Sequence, residues 1–210
     1  MRYNFIAIEG NIGSGKTSLA EKMAADLNAR LCLENFTDNP FLSKFYGNPK
    51  QHAFSLELFF MAERFQQMKN LFSERDMFRD RVVSDYLFAK SQLFANINLE
   101  GDENMLYKRL FSIIYPNIPQ PQLIVYLHND TGNLLLNISK RGRDYERSIR
   151  ADYLEKIQLA YFRYFRTLTK QTVLIVNVAK LNFVYDRYDY NQLMDSLKQD
   201  YTSGMHFINP

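Results

Sequence analysis

Eight consecutive residues hold the densest chemistry in the chain. Gly10-Asn11-Ile12-Gly13-Ser14-Gly15-Lys16-Thr17 fits the phosphate-binding pattern G-x-x-x-x-G-K-[ST]. Glycines at these positions let backbone N–H groups curl around a chain of phosphates, and the helix that follows adds the positive end of its dipole. In such a loop the lysine reaches the β- and γ-phosphates and the terminal hydroxyl ligates Mg²⁺. The flanks are the required ones, an apolar run from Asn4 to Glu9 and a helical spacing from Lys16 to Asn28. A glycine-rich turn that only caps a helix is the weaker reading. ATP and Mg²⁺ are the expected cofactors.

Other candidates lie where apolar runs end. Glu34 follows Leu31-Cys32-Leu33; a carboxylate there can accept the proton of an acceptor hydroxyl and align it with the γ-phosphate, or be a plain surface glutamate. Asp85 follows Val82-Val83-Ser84, a fitting place for the carboxylate that such a site needs near Mg²⁺. Lys140-Arg141-Gly142-Arg143-Asp144-Tyr145-Glu146-Arg147 clusters arginines around a glycine. Forked donors on such a segment suit a lid closing over a phosphoryl group, although composition alone fits a solvated connection as well.

These residues need a scaffold, and hydrophobic periodicity predicts one. Strand-like runs occupy Asn4 to Glu9, Arg30 to Leu33, Arg81 to Ser84, Gln122 to Leu127 and Thr172 to Val178. Helical spacing fills the intervals: Lys16 to Asn28, Phe54 to Phe72, Tyr86 to Asn98, Glu103 to Tyr115, Thr131 to Lys140, Ile149 to Thr169 and a short piece near Tyr190 to Gln199. Strands alternating with helices imply an α/β fold with a five-stranded parallel sheet covered on both faces. Ligands of such sheets bind beyond the carboxyl ends of the strands, where Gly10, Glu34 and Asp85 fall.

Bulk properties narrow the class. The 210 residues, 46% of them hydrophobic, suit one domain over 1–210 with an ample core. A net charge of +3 from 26 basic and 23 acidic residues offers no concentrated basic face for nucleic acid or membrane. The single cysteine, Cys32, excludes an internal disulfide. With no signal-like segment, a cytoplasmic location is expected. No N-K-x-D or D-x-x-G segment of a guanine-reading switch is present. A small kinase with an acceptor pocket fits better.

Taken together the chain resembles the deoxyribonucleoside kinase family, in particular bacterial deoxyadenosine and deoxyguanosine kinases. The likeness is borne by Ile8 to Thr17, by Glu34, by Asn39-Pro40-Phe41-Leu42 leading to Phe45-Tyr46, by Ala53-Phe54 before Leu56-Glu57-Leu58, by Pro121 to Leu127, and by the Arg-Gly-Arg segment. The resemblance implies that Glu34 is the general base for the sugar 5′-hydroxyl, and that Tyr46 and Glu146 hold the 3′-hydroxyl. It implies that Arg141 and Arg143 reach the donor phosphates and that Phe94 stacks on the base. Glu57 falls where the family usually has a base-reading glutamine, and Arg64 matches an arginine of the same pocket. Residues 57 and 64 also share a helix face two turns apart. A homodimer is expected from the family and from the many apolar positions of the Phe54 to Phe72 helix.

Two departures stand out. Many members carry an acid-Arg-Ser motif after the third strand, where this chain reads Ser84-Asp85-Tyr86. A one-residue gap aligns Asp85 with the acid and Tyr86 with the arginine; without the gap these places fall to Ser84 and Asp85. The arginine is absent either way. The second departure is Glu57, since an ionised carboxylate only accepts hydrogen bonds. That suits guanine N1–H and N2–H₂, or one adenine amine with Arg64 donating nearby. The expected activity is therefore ATP-dependent 5′-phosphorylation of a purine deoxynucleoside. A monophosphate kinase of the thymidylate kinase type and a non-catalytic nucleotide-binding module are the alternatives.

Overall fold

A computed structural model describes residues 2–35, 39–73 and 79–210. Strand β1 (Phe5–Gly10) is wholly buried at the middle of the sheet. It lies between β3 (Val82–Ser84) and β4 (Leu123–His128), and all pairings are parallel. Beyond them lie β2 (Arg30–Cys32) at one edge, then β5 (Thr172–Asn177) and β6 (Gly204–Ile208) at the other. The strand order is β2-β3-β1-β4-β5-β6.

Parallel strands need crossover helices, and these cover both faces. Side chains alternate across the sheet, so Ile6 and Ile8 face one layer with Val125 and Leu127. There they pack with Leu19 and Met23 of α1 (Lys16–Asp26) and Leu193 and Leu197 of α8 (Arg187–Leu197). Phe5 and Ala7 face the other layer, formed by α3 (Pro49–Ser73), α4 (Lys90–Asn98), α5 (Gly101–Ile114) and α7 (Ala151–Phe165). Helix α6 (Thr131–Arg141) closes the phosphate-loop end through Leu134 and Ile138.

The expected five-stranded sheet is corrected to six. Strand β6 escapes periodicity because Gly204-Met205-His206-Phe207-Ile208 is an edge segment with no apolar run, and Phe207 is exposed. A short helix α2 (Leu42–Gly47) was also not anticipated. The stretch expected to be helical from Tyr86 is a buried turn until Lys90. Glu9 causes this, since its Oε1 accepts Leu87 N at 2.7 Å and ties the turn to β1. Among the described residues no helix is long and apolar enough to cross a membrane.

Candidate active site

The phosphate loop joins β1 to α1, and its shape is set by glycine and by neighbouring helices. Gly13 and Gly15 have φ of 81° and 88°, a region where L side chains are strained. A Cβ on Gly15 would also come within 2.8 Å of the Phe183 ring. Asn11 Nδ2 donates to Leu154 O at 2.7 Å, and Asn137 Nδ2 donates to Gly13 O at 2.9 Å. The loop is thus tied to α7 and α6. Lys16 Nζ donates to Asn11 O at 2.8 Å. Burial, aided by the nearby charge of Lys90, pushes its ammonium down to about 8.

Asp85 links the loop to the ends of two strands. Its Oδ2 accepts from Thr17 Oγ1 at 2.6 Å, and its Oδ1 accepts from Glu34 N at 2.7 Å. Ser84, the other residue that alignment offered for the acid, is buried and donates to Tyr86 O at 2.7 Å. Asp85 therefore lies beside Thr17 and Ser84 does not. The Thr17 hydroxyl and Asp85 carboxylate fit Mg²⁺, a hard cation that keeps waters and takes one or two protein oxygens besides phosphate.

Glu34 is gripped by cations from two helices. Its Oε1 accepts Arg64 Nε at 2.8 Å, with Arg64 Nη2 on the same oxygen, and its Oε2 accepts Lys90 Nζ at 2.6 Å. Burial pushes the Glu34 carboxyl up, but Lys90 and Arg64 outweigh it and hold the group well below the usual carboxylate range. The remaining terminal nitrogen of Arg64 donates to Ser91 Oγ at 2.7 Å. Arg64 therefore points to Glu34 and Ser91, and it lines the same cavity as Glu57.

Glu57 meets Asn98 instead. Only 2% exposed, it accepts Asn98 Nδ2 on Oε1 at 2.7 Å, and the same amide lies 3.2 Å from Tyr153 Oη. Burial pushes Glu57 up to about 7, against the opposing pull of the Asn98 hydrogen bond and of Arg64 and Lys90. Phe94 lines the same cavity, its ring centroid 5.5 Å from Lys90 Nζ.

The segment after α6 supplies the remaining wall. Gly142, at φ 69°, ends the helix in the left-handed conformation and turns the chain towards the cavity. Glu146 is 5% exposed and accepts Arg141 Nε at 3.1 Å and Nη2 at 2.6 Å, with Arg143 Nη1 at 3.4 Å. Tyr46, on α2, stacks on Tyr145 at 6.0 Å between centroids, and burial raises its hydroxyl well above the ordinary range. Lys16, Thr17, Glu34, Tyr46, Glu57, Arg64, Asp85, Phe94, Arg141, Arg143 and Glu146 all line one cavity.

Sequence reasoning missed Lys90, Asn98 and Tyr153, which line it too. Lys90 and Asn98 lie four residues either side of Phe94, hence on its helix face. That spacing was the available signal. Tyr153 had none, being an ordinary aromatic of an amphipathic helix.

The G-x-x-x-x-G-K-T loop at the carboxyl end of β1, with Asp85 beside its Thr17 and the clamped Glu34 carboxylate lining the same cavity, has the form of a small-molecule phosphotransferase site. The deoxynucleoside kinase family model matches residues 6–201, and the chain belongs to that family; it is an enzyme of that kind. It is 33% identical over 199 residues to a deoxyguanosine kinase of Bacillus subtilis, covering 93% of this chain and 96% of that one. Identity to a deoxyadenosine kinase of Dictyostelium discoideum is 31% over 206 residues, covering 97% and 81%. The fold matches a solved deoxyadenosine kinase of M. mycoides with bound dATP, with a TM-score of 0.77 at 20% identity, covering 93% of this chain and 100% of that one. Family membership sets aside the monophosphate kinase and non-catalytic alternatives.

Proposed function

We propose that the enzyme transfers the γ-phosphoryl group of ATP to the 5′-hydroxyl of a purine deoxynucleoside, with deoxyguanosine preferred. The observation that carries the base preference is the buried Glu57 carboxyl in the wall of the cavity that Lys16 and Phe94 also line. An ionised carboxylate accepts guanine N1–H and N2–H₂ together. Adenine would need a donor beside it, and the Arg64 guanidinium is turned to Glu34 and Ser91. The B. subtilis relative named for deoxyguanosine points the same way.

The residues divide the work along the cavity. Lys16 and the loop N–H groups bind the triphosphate, and Thr17 with Asp85 would hold Mg²⁺, which neutralises charge on the phosphates. Phe94 stacks on the base, while Tyr46 and Glu146 take the sugar 3′-hydroxyl. Glu146 retains lone pairs for this while bonded to Arg141, because an ionised carboxylate has about four acceptor sites. Arg141 and Arg143 serve the donor phosphates as a lid. Glu34 orients the 5′-hydroxyl and receives its proton. Its weak basicity is compatible with a loose phosphoryl-transfer transition state, where positioning outweighs covalent chemistry.

The test of base reading is Glu57→Gln. A glutamine amide offers one donor and one acceptor, the complement of adenine's edge. The ratio of kcat/KM for deoxyguanosine over deoxyadenosine is expected to fall by roughly 100-fold. In the unmodified enzyme, with ATP saturating so that the phosphates keep Lys16 charged, kcat/KM for deoxyguanosine should rise with pH through about 7 as Glu57 loses its proton. Groups facing Glu57 are Arg64, Lys90, Glu34, Tyr107 and Tyr153; the Glu34 carboxyl is held far below that pH, and Arg64 and the two tyrosine hydroxyls are raised far above it. An unchanged ratio together with a flat profile would remove Glu57 as the base reader.

We also propose a homodimer. The surplus apolar side chains of α3 pack against its neighbours, Phe54, Leu58 and Phe65 lying against the core. Among the exposed apolar side chains, Met105, Leu106 and Ile113 of α5 share a helix face. Light scattering should report twice the 24.9 kDa chain mass, and Met105→Glu should reduce it towards one; a 24.9 kDa species at micromolar concentration removes the proposal.

A further inference from the structure

We propose that Lys90 supplies the positive charge which the missing arginine leaves wanting, acting as a positioning residue that holds Glu34 for phosphoryl transfer. The inference rests on the reading of Glu34 as the group that faces the 5′-hydroxyl. Lys90 is the first residue of α4 and is 7% exposed. Its ammonium lies 2.6 Å from Glu34 Oε2, and Arg64 holds the opposite oxygen. One cation on each oxygen fixes the plane of the carboxylate, which a single partner would leave free to turn.

The other residues that could have filled the gap are committed elsewhere. Tyr86, one of the two residues aligned with the arginine, is fully buried, and its hydroxyl donates to Gln67 Oε1 at 2.9 Å and lies 3.4 Å from Cys32 Sγ. Asp85, the other, carries the wrong charge. Arg141 and Arg143 contact Glu146 across the cavity. Lys90 reaches its place because the β3–α4 turn is fixed at both ends. Glu9 accepts Leu87 N, and Lys90 N donates to Leu87 O at 2.9 Å.

Lysine in this role differs from arginine in kind. An ammonium is a point charge that makes one contact with the carboxylate, whereas a guanidinium forks onto two atoms. Lys90 therefore leaves Glu34 Oε2 with lone pairs for the incoming hydroxyl. In the transfer, the O5′–Pγ bond forms, the bond from Pγ to the β–γ bridging oxygen breaks, and the hydroxyl proton passes to Glu34. Lys90 exchanges no proton and changes no partner.

The experiment is a cycle of Lys90→Met and Glu34→Gln, singly and together, with Lys90→Arg and Lys90→Gln alongside. Steady-state ADP release with ATP·Mg²⁺ and deoxyguanosine is measured, and thermal unfolding confirms that each variant is folded. Lys90→Met is expected to lower kcat about 30- to 100-fold, the cost of a misplaced reacting group, with both KM values little changed. Lys90→Arg should restore most of the loss, and Lys90→Gln should not. In the Glu34→Gln background the Lys90→Met loss should nearly vanish, because the two residues act as a unit. A Lys90→Met or Lys90→Gln enzyme with normal kcat and only a lowered Tm would make Lys90 a neutralising residue and overturn the inference. An equal loss with and without Glu34 would do the same. Full turnover by Glu34→Gln alone would instead overturn the underlying role of Glu34.

Discussion

Glu34→Gln is expected to lower kcat about 10³-fold, within the ~10²–10⁴-fold range of general-base losses, while leaving the KM for ATP near its original value. Glutamine has the same shape but accepts no proton and carries no charge. Two consequences follow and must be separated. The first is chemical: nothing remains to orient the 5′-hydroxyl and take its proton. The second is structural, because Arg64 and Lys90 lose a counter-charge in a largely enclosed place. Removing one partner of a buried ion pair costs roughly 3–5 kcal/mol, so unfolding should be followed by denaturant titration and turnover measured well below Tm. Glu34→Asp is the companion variant. It keeps the charge but retracts it by one methylene, and should keep more stability than it keeps turnover. A Glu34→Gln enzyme with near-normal kcat would remove this residue from the reaction.

Lys16→Ala is expected to reduce kcat/KM for ATP by about 10³-fold or more, since a single preorganised donor at a developing negative charge is worth about 10²–10³-fold and this one is fully charged. Here the stability effect should be opposite in sign, or small. The Lys16 ammonium donates to the Asn11 carbonyl and lies near Lys90 as well as Glu9, Glu34 and Asp85, and burial together with Lys90 outweighs the three carboxylates. Removing a charge that its surroundings disfavour costs little. The contrast with Glu34→Gln is diagnostic: one variant should lose activity and stability, the other activity alone. Turnover of Lys16→Ala within tenfold of the parent would show that the loop N–H groups suffice to hold the triphosphate.

The family assignment strengthens both expectations without supplying them. Residues 6–201 match the deoxynucleoside kinase model, which establishes the kind of enzyme. The roles of individual side chains rest on their placement around one cavity and on the variants above.

How much of this was legible beforehand differs by feature, and the difference is physical. The phosphate loop was readable because all its determinants are local. Eight adjacent residues set the turn, and the flanking apolar runs specify strand and helix. All five expected strands hold to within one residue at each end. Their central members are apolar on both faces, as a buried parallel sheet requires. Asp85 was legible as the carboxylate after β3, preferred to Ser84 because a metal-side group must be an acid; its 2.6 Å contact with Thr17 is tertiary.

The rest depends on residues brought together from distant elements. Glu34, Arg64 and Lys90 stand 30 and 56 positions apart in pairs, on a strand end and two helices. In the sequence Lys90 is one charged residue at a helix start, indistinguishable from a solvated one. Only packing of α4 against the sheet buries it where a carboxylate must meet it. Glu57 and Asn98 are likewise 41 positions apart, a contact that helical spacing, which sees one helix at a time, has no means to show. The edge strand β6 adds the same lesson, since pairing with β5, not its own composition, makes Gly204–Ile208 a strand. The glycine-lysine loop and the layered scaffold can be read from residue order, because local pattern and backbone geometry encode both. Which charges face one another cannot, because that depends on burial, and burial is a property of the whole fold.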